Sequence, residues 1–242
     1  MPQAAESQTL DAAFKALETY TRGDDPKVLV SIEHAVQQAH GDQAARAALE
    51  QRLSAQLLRS SSSEAARKFI CRELAVIGSA ASVPALAALL PDESLSHMAR
   101  YALERIPGSE ADTALRDALG KTKGATRIGI IHSIGARRDA RSVTPLAKLL
   151  ANEPASAAAA AKALGEIGTP EAVGALQAFR GQAGDALRLA LADALLIGAE
   201  RLVASGDRAR AVKLLESLSE PSQAPHVRLA ARRALSAARR PR

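Results

Sequence analysis

The chain has almost no aromatic side chains. Phe14, Phe69, Phe179, Tyr20 and Tyr101 are the whole set, 2% of 242 residues, and there is no Trp. That scarcity argues against any site that must stack bases or rings, an unstacked-nucleotide pocket above all. One cysteine, Cys71, excludes an internal disulfide framework. It lies in the helical pattern Phe69-Ile-Cys-Arg-Glu-Leu-Ala-Val-Ile77, where a buried small hydrophobe is expected rather than a reactive thiol. No apolar run is long enough to cross a bilayer. Val, Ile and Thr are too thinly spread to make strand runs. Met1-Pro-Gln-Ala-Ala-Glu lacks the charged start and apolar stretch of a signal peptide. The cytoplasm is therefore the expected compartment, with export as the alternative if a leader was trimmed.

What is present is Ala and Leu. Hydrophobic residues make up 47% of the chain, and the excess is in the two types that helices tolerate best. An all-helical fold with a thin, evenly packed core follows. The net charge is +6, with an isoelectric point near 9.8, which permits an anionic partner without identifying one.

The pattern is periodic. Ile77-Gly78, Ile106-Pro-Gly108, Ile134-Gly135, Ile167-Gly168 and Ile197-Gly198 follow one another at 29, 28, 33 and 30 residues. Leu86, Leu115, Leu146 and Leu176 run in step, at 29, 31 and 30. Two markers with one period signal a solenoid, in which each unit is a pair of short helices. First helices are expected to start near Ser82-Val-Pro84, Ser109, Ser142-Val-Thr-Pro145 and Thr169-Pro-Glu171. Second helices are expected to end at the Ile-Gly marker, with Gly in the left-handed cap conformation. Ser60–Ser63 reads as a turn plus N-cap. Helices of this length are marginal alone and hold by burying their apolar stripes against neighbours.

The expected organisation is one repeat domain over 1–242. Residues 1–42 form an N-terminal capping pair, 43–198 the regular repeats and 199–242 an atypical C-terminal cap. The Arg-rich end (Arg228, Arg232, Arg233, Arg239, Arg240, Arg242) has two readings, a polar cap or an anion-binding tail.

The units Val83-Pro-Ala-Leu-Ala-Ala-Leu-Leu90 and Ala160-Ala-Lys-Ala-Leu-Gly-Glu-Ile-Gly168 resemble HEAT-like repeats of the short, phycobilin-lyase type. Leu95 to Pro107, with Gly124 to Arg138, is similar to bacterial HEAT-repeat proteins that are often exported. Residues 199–218 are similar to a tetratricopeptide repeat. The resemblance implies an all-α, right-handed α-solenoid of about seven antiparallel helix pairs, with second helices lining the concave side. It implies binding more often than chemistry.

No catalytic set is visible. His34, His40, His97, His132 and His226 are scattered, without the symmetric His-Glu pairs that HEAT-like di-iron hydroxylases carry. There is no nucleophile elbow and no phosphate-binding GxxxxGK loop. No enzyme, metal or cofactor is expected. One constellation stands out. Counting back from each closing Ile, positions −1, −5 and −9 share a helical face. They are Val76, Arg72 and Lys68, then Arg105, Tyr101 and His97, then Ser133, Gly129 and Ala125, then Glu166, Lys162 and Ala158. If that face is concave, Lys68, Arg72, His97, Tyr101, Arg105 and Lys162 are its candidate partner-binding residues, since Arg and Tyr dominate interface hot spots. A merely solvated helix face is the alternative. Arg67 is read as pinning an inter-repeat turn.

The expected function is a non-enzymatic scaffold that binds a protein or peptide along the concave surface. Two others stay open. One is anion or nucleic-acid binding through the basic patch. The other is a lyase or accessory role toward a cofactor-bearing protein.

Overall fold

The structure, a computed structural model, describes residues 2–240, and the side chains of all of these except 2–8, 185 and 186. Arg242 of the Arg-rich end therefore lies outside the described residues. These residues form fourteen α-helices and three short 3-10 turns, with no strand among them. They group into two compact units, the first running to Thr122 and the second starting at Lys123.

The first unit contains α1 (Pro2–Thr19), α2 (Val30–Gln38), α3 (Gln43–Leu57), α4 (Glu64–Ile77), α5 (Val83–Ala87), α6 (Ser96–Leu103) and α7 (Ser109–Lys121). Its helices form two rows. The second members of the pairs, α2, α4 and α6, touch in succession, and the first members α3, α5 and α7 do the same. The second unit contains α8 (Gly124–Arg137), α9 (Val143–Asn152), α10 (Pro154–Ile167), α11 (Pro170–Arg180), α12 (Asp185–Ala204), α13 (Arg208–Leu218) and α14 (Pro225–Arg239). There α8, α10, α12 and α14 form one row, and α9 lies on α11. Helices that contact their sequence neighbours and their counterparts in the next pair are the defining arrangement of an α-solenoid. The marker residues are its core: Leu86, Leu115, Leu146 and Leu176 are each 0% exposed. Burying one such leucine contributes about 1.5–3 kcal/mol. The Ala-rich α10 is buried nearly all round, because α8, α9, α11 and α12 all lie against it.

The helix starts follow the expected chemistry at some places and depart from it at others. Ser63 caps α4 by accepting from the Ala66 N–H at 3.0 Å, and Thr169 caps α11 through Ala172 at 3.2 Å. Pro154, Pro170 and Pro225 occupy first turns, where no amide hydrogen is missed. Helices α5 and α9 start directly after Ser82 and Ser142, as expected, but these two serines are buried at the ends of the 3-10 turns Ala80–Ser82 and Ala140–Ser142 and make no side-chain cap bond. The capping oxygens sit one turn earlier, on Ser79 and Asp139.

The Ile-Gly glycines also act differently from expectation. Gly168 alone takes the left-handed cap, at φ 63°. Gly78 is extended, Arg138 rather than Gly135 is the left-handed residue after α8, and Gly198 lies inside α12. What four of these glycines share is crowding. A Cβ on Gly78 would meet Ile106 Cδ1 at 2.9 Å, one on Gly135 would meet Ala163 Cα at 2.9 Å, and one on Gly198 would meet Val173 Cγ2 at 2.9 Å. A Cβ on Gly168 would run into the Arg201 side chain. At Gly78, Gly135 and Gly168 one pair comes close to the next, while at Gly198 the two helices of one pair, α11 and α12, come close to each other.

Candidate partner-binding face

Helix α4 buries Phe69, Ile70, Cys71, Glu73 and Leu74. The 3.6-residue period then leaves Lys68, Arg72 and Val76 on its outer side. Val76 is 64% exposed, an unusual position for a β-branched apolar side chain. The Arg72 guanidinium carbon lies 5.6 Å from the centroid of the Phe69 ring. Lys68 is neutralised within its own helix by Glu64, Nζ to Oε1 at 2.5 Å. Lys68 and Arg22 also line a groove of about 510 Å³ beside Ser63 and Glu64.

On α6, which lies against α4, Ala99, Ala102 and Leu103 are buried while His97 and Tyr101 face outward. Arg105 stands just past the helix end. Its guanidinium carbon is 3.6 Å from the Tyr101 ring centroid, and Nη1 donates to the Tyr101 carbonyl at 2.8 Å. The cation thus satisfies a carbonyl of the last turn, where the helix dipole favours positive charge, and holds the half-exposed ring flat beneath it. Five of the six candidates, Lys68, Arg72, His97, Tyr101 and Arg105, lie on the outer sides of these two adjacent helices.

Lys162 belongs to the second unit. It is exposed on α10, with Nζ 3.8 Å from Glu166 Oε1 one turn on. Of the other counted positions there, Ser133 is buried and donates to the Gly129 carbonyl at 3.3 Å. The row counted through Ser133, Gly129 and Ala125 is therefore partly closed.

Arg67 does pin a turn, but the one inside its own pair: Nη2 donates to the Arg59 carbonyl at 3.0 Å. Its charge also reaches Asp92. The Ser94 hydroxyl, the Ser94 and Leu95 amides and Arg67 hold that carboxyl below its usual range. Arg67 is the fourth residue of α4, and Arg127, Arg188 and Arg228 are the fourth residues of α8, α12 and α14. Arg188 donates to the Ala183 carbonyl at 3.2 Å and Arg228 to the Pro221 carbonyl at 3.5 Å. Arg127 reaches Glu153, at the start of α10, at 2.5 Å. This recurrence marks structural arginines, a role that the sequence suggested only for Arg67.

A second pair escaped notice altogether. Arg46 and Glu50, one turn apart on α3, clamp the turn that follows α4. Arg46 Nε donates to the Ile77 carbonyl at 2.8 Å, and Glu50 accepts from Ser79 and Ser82. The cation meets a helix C-terminus and the anion a helix start, each where the backbone's partial charge favours it.

Titration follows burial. Cys71 is fully buried, and burial pushes its thiol up to about 12. Burial also raises the Glu73 carboxyl to about 7, helped by Glu33 on α2 and opposed by Arg72. Among the described residues no three His, Cys, Asp or Glu side chains gather as a metal site would need, and no helix is long and apolar enough to cross a membrane. A groove of about 620 Å³ between α1, α2 and α3 is lined by Leu10, His34, Leu49 and Arg52, and one of about 580 Å³ lies between α5 and α7.

By its stacked rows of helix pairs the chain is an α-helical repeat protein. Its structure is similar to human deoxyhypusine hydroxylase in complex with glycerol, at 16% identity and a TM-score of 0.38, covering 81% of this chain and 98% of that one. It is similar to an engineered protein at 22% identity and 0.40, covering 96% and 68%. It is also similar to the archaeal HEAT-like repeats protein from Thermococcus onnurineus NA1, at 16% and 0.40, covering 96% and 92%. No family model and no curated protein sequence matches the chain.

Proposed function

We infer that the protein is a non-enzymatic interaction scaffold that grips a protein or peptide with the outer side of α4 and α6. The supporting observation is the composition of that side. An exposed apolar side chain, Val76, shares it with the stacked Tyr101–Arg105 pair and with Arg72, and Lys68 is already paired. Aromatic and guanidinium groups beside exposed apolar surface are the residues that carry most interface energy. Tyr101 is held by Arg105 before any partner arrives, so little side-chain entropy is lost when it is covered.

The test is site-directed photo-crosslinking from position 101, followed by affinity measurement with the protein it captures. Tyr101→Ala with Arg105→Ala is expected to weaken that complex at least tenfold while leaving the helical content unchanged. Unaltered affinity in the double variant, or no captured protein, refutes the reading.

A further inference from the structure

The charge of the chain is segregated. Residues 1–204 carry 23 Lys and Arg against 23 Asp and Glu, so they are neutral overall. Residues 205–242 carry 9 against 3, which is the entire net charge of +6. The described part of that stretch is α13 and α14 with their turns, in the second unit.

The internal pairing of this stretch consumes only some of its cations. Arg210 is held by Asp207 at 2.8 Å, Arg239 by Glu216 at 2.5 Å, and Arg208 donates to the Arg240 carbonyl at 2.7 Å. Among the described residues, the side chains of Lys213, Arg232, Arg233 and Arg240 have neither a hydrogen bond nor an ion pair, and all four residues are exposed. Helix α14 turns Val227, Ala231 and Ala238 inward, toward α12 and α13. Its outer stripe therefore runs Leu229, Arg232 and Arg233, Ser236, with the exposed Arg240 just past the helix end. A cap needing only a polar outer face would be served by mixed charges; this face is of one sign.

We propose that the outer face of α13 and α14 is a docking surface for duplex nucleic acid, bound through its phosphates without sequence preference. The chemistry selects this occupant over three others. An interfacial membrane helix needs a broad apolar face, whereas the large apolar side chain exposed on α14 is Leu229, at 53%. Single strands are held by base stacking, and no aromatic follows Phe179 in the chain. An acidic protein segment would need an apolar interface core, which this face lacks. A polyphosphate backbone needs none of these. It needs unpaired, accessible guanidinium groups at short intervals, and Arg232, Arg233 and Arg240 supply them, with Lys213 on the adjacent helix.

The experiment is fluorescence anisotropy of the full chain with a short mixed-sequence DNA duplex. Binding is expected at about 50 mM salt, with log K falling against log salt at a slope of roughly −3 to −4 for four contacted phosphates. Arg232→Gln with Arg233→Gln is expected to lower affinity at least tenfold and the slope by about 2. Arg141→Gln with Lys148→Gln removes the same charge from elsewhere in the second unit and is expected to leave binding within twofold. Three results overturn the proposal. They are no binding at low salt, equal loss in both double variants, or equal or tighter binding to phosphatidylserine vesicles or a polyglutamate peptide than to the duplex. These variants leave Tyr101 and Arg105 intact, so failure here and failure of the α4–α6 scaffold reading are separately visible.

Discussion

The carboxylate of Glu50 accepts from both the backbone N–H and the hydroxyl of Ser79, at 2.6 and 2.9 Å, across 29 residues of sequence. It accepts from the Ser82 N–H as well, at 3.1 Å, and Glu50 is only 5% exposed. One buried side chain therefore satisfies two amides of the turn that opens the next helix pair. Removing it strands the Ser79 N–H, at a cost of about 1–3 kcal/mol, whereas the Ser82 N–H keeps the Ser79 carbonyl at 3.2 Å. Glu50→Ala is expected to destabilise the protein by about 3 kcal/mol in urea unfolding, and Glu50→Gln by less. Hydrogen exchange at the Ser79 amide should accelerate well before the rest of the unit. Unchanged protection there would contradict the assignment.

The marker glycines make opposite predictions to an ordinary helical glycine. Gly168→Ala places a methyl group against Arg201 at φ 63° and is expected to cost about 1–3 kcal/mol. Gly174→Ala, inside α11 with nothing near its Cβ direction, is expected to stabilise by about 0.5–1 kcal/mol. Thermal unfolding of the two variants reads both signs at once. A stabilised Gly168→Ala protein would remove the close-approach argument.

Glu73 makes stability fall as pH rises. Its native carboxyl titrates at about 7 rather than 4.5, chiefly because it is buried, with Glu33 adding to the shift and Arg72 opposing it. Between those values the native state keeps a proton that the unfolded chain has released. Its contribution is thus full below pH 4.5, is lost progressively up to pH 7 and is flat above. Glu73→Gln is expected to remove this slope and to stabilise the protein at pH 8 by up to about 3 kcal/mol. Urea titrations at pH 5 and pH 8 measure the difference. A variant destabilised at both would show that the carboxylate is used in its charged form.

Cys71 should be silent in the native protein. With the thiol buried and its ionisation pushed to about 12, the reactive thiolate is both scarce and inaccessible at pH 8. Labelling by an aromatic disulfide reagent is expected only at the rate of opening, and to be complete in denaturant. Rapid stoichiometric labelling of the folded chain would disprove the buried placement.

Much of the architecture was legible because it is written in local periodicity. Ile77, Ile106, Ile134 and Ile167 repeat because each seats in the same place of its pair, and all four are buried. The division after Thr122 was not legible, since grouping depends on contacts between distant residues. Turn chemistry was legible only where a cap bonds to its own turn, as at Ser63. At Ser82 the helix start was legible, but not that its amide is shared between the Ser79 carbonyl and Glu50 from another helix. The same limit governs the candidate face. The spacing placed Tyr101 and Arg105 on one side, but that Arg105 lies over the ring, and that Glu64 occupies Lys68, are matters of rotamer. Lys162 fell in with the others by counting alone, and the fold assigns it to a different unit.

Where a methyl group finds no room, the gap between neighbouring pairs is set by main chain rather than by side-chain shape. Gly135 leaves a flat seat of this kind against the Ala163 main chain, which any incoming pair with the same bare ridge would fit. Such a chain is suited to cassette exchange. A block running from one Ile-Gly to the next should transplant into another position of its unit with its joints intact, so length and surface can be changed by whole blocks without redesigning the core.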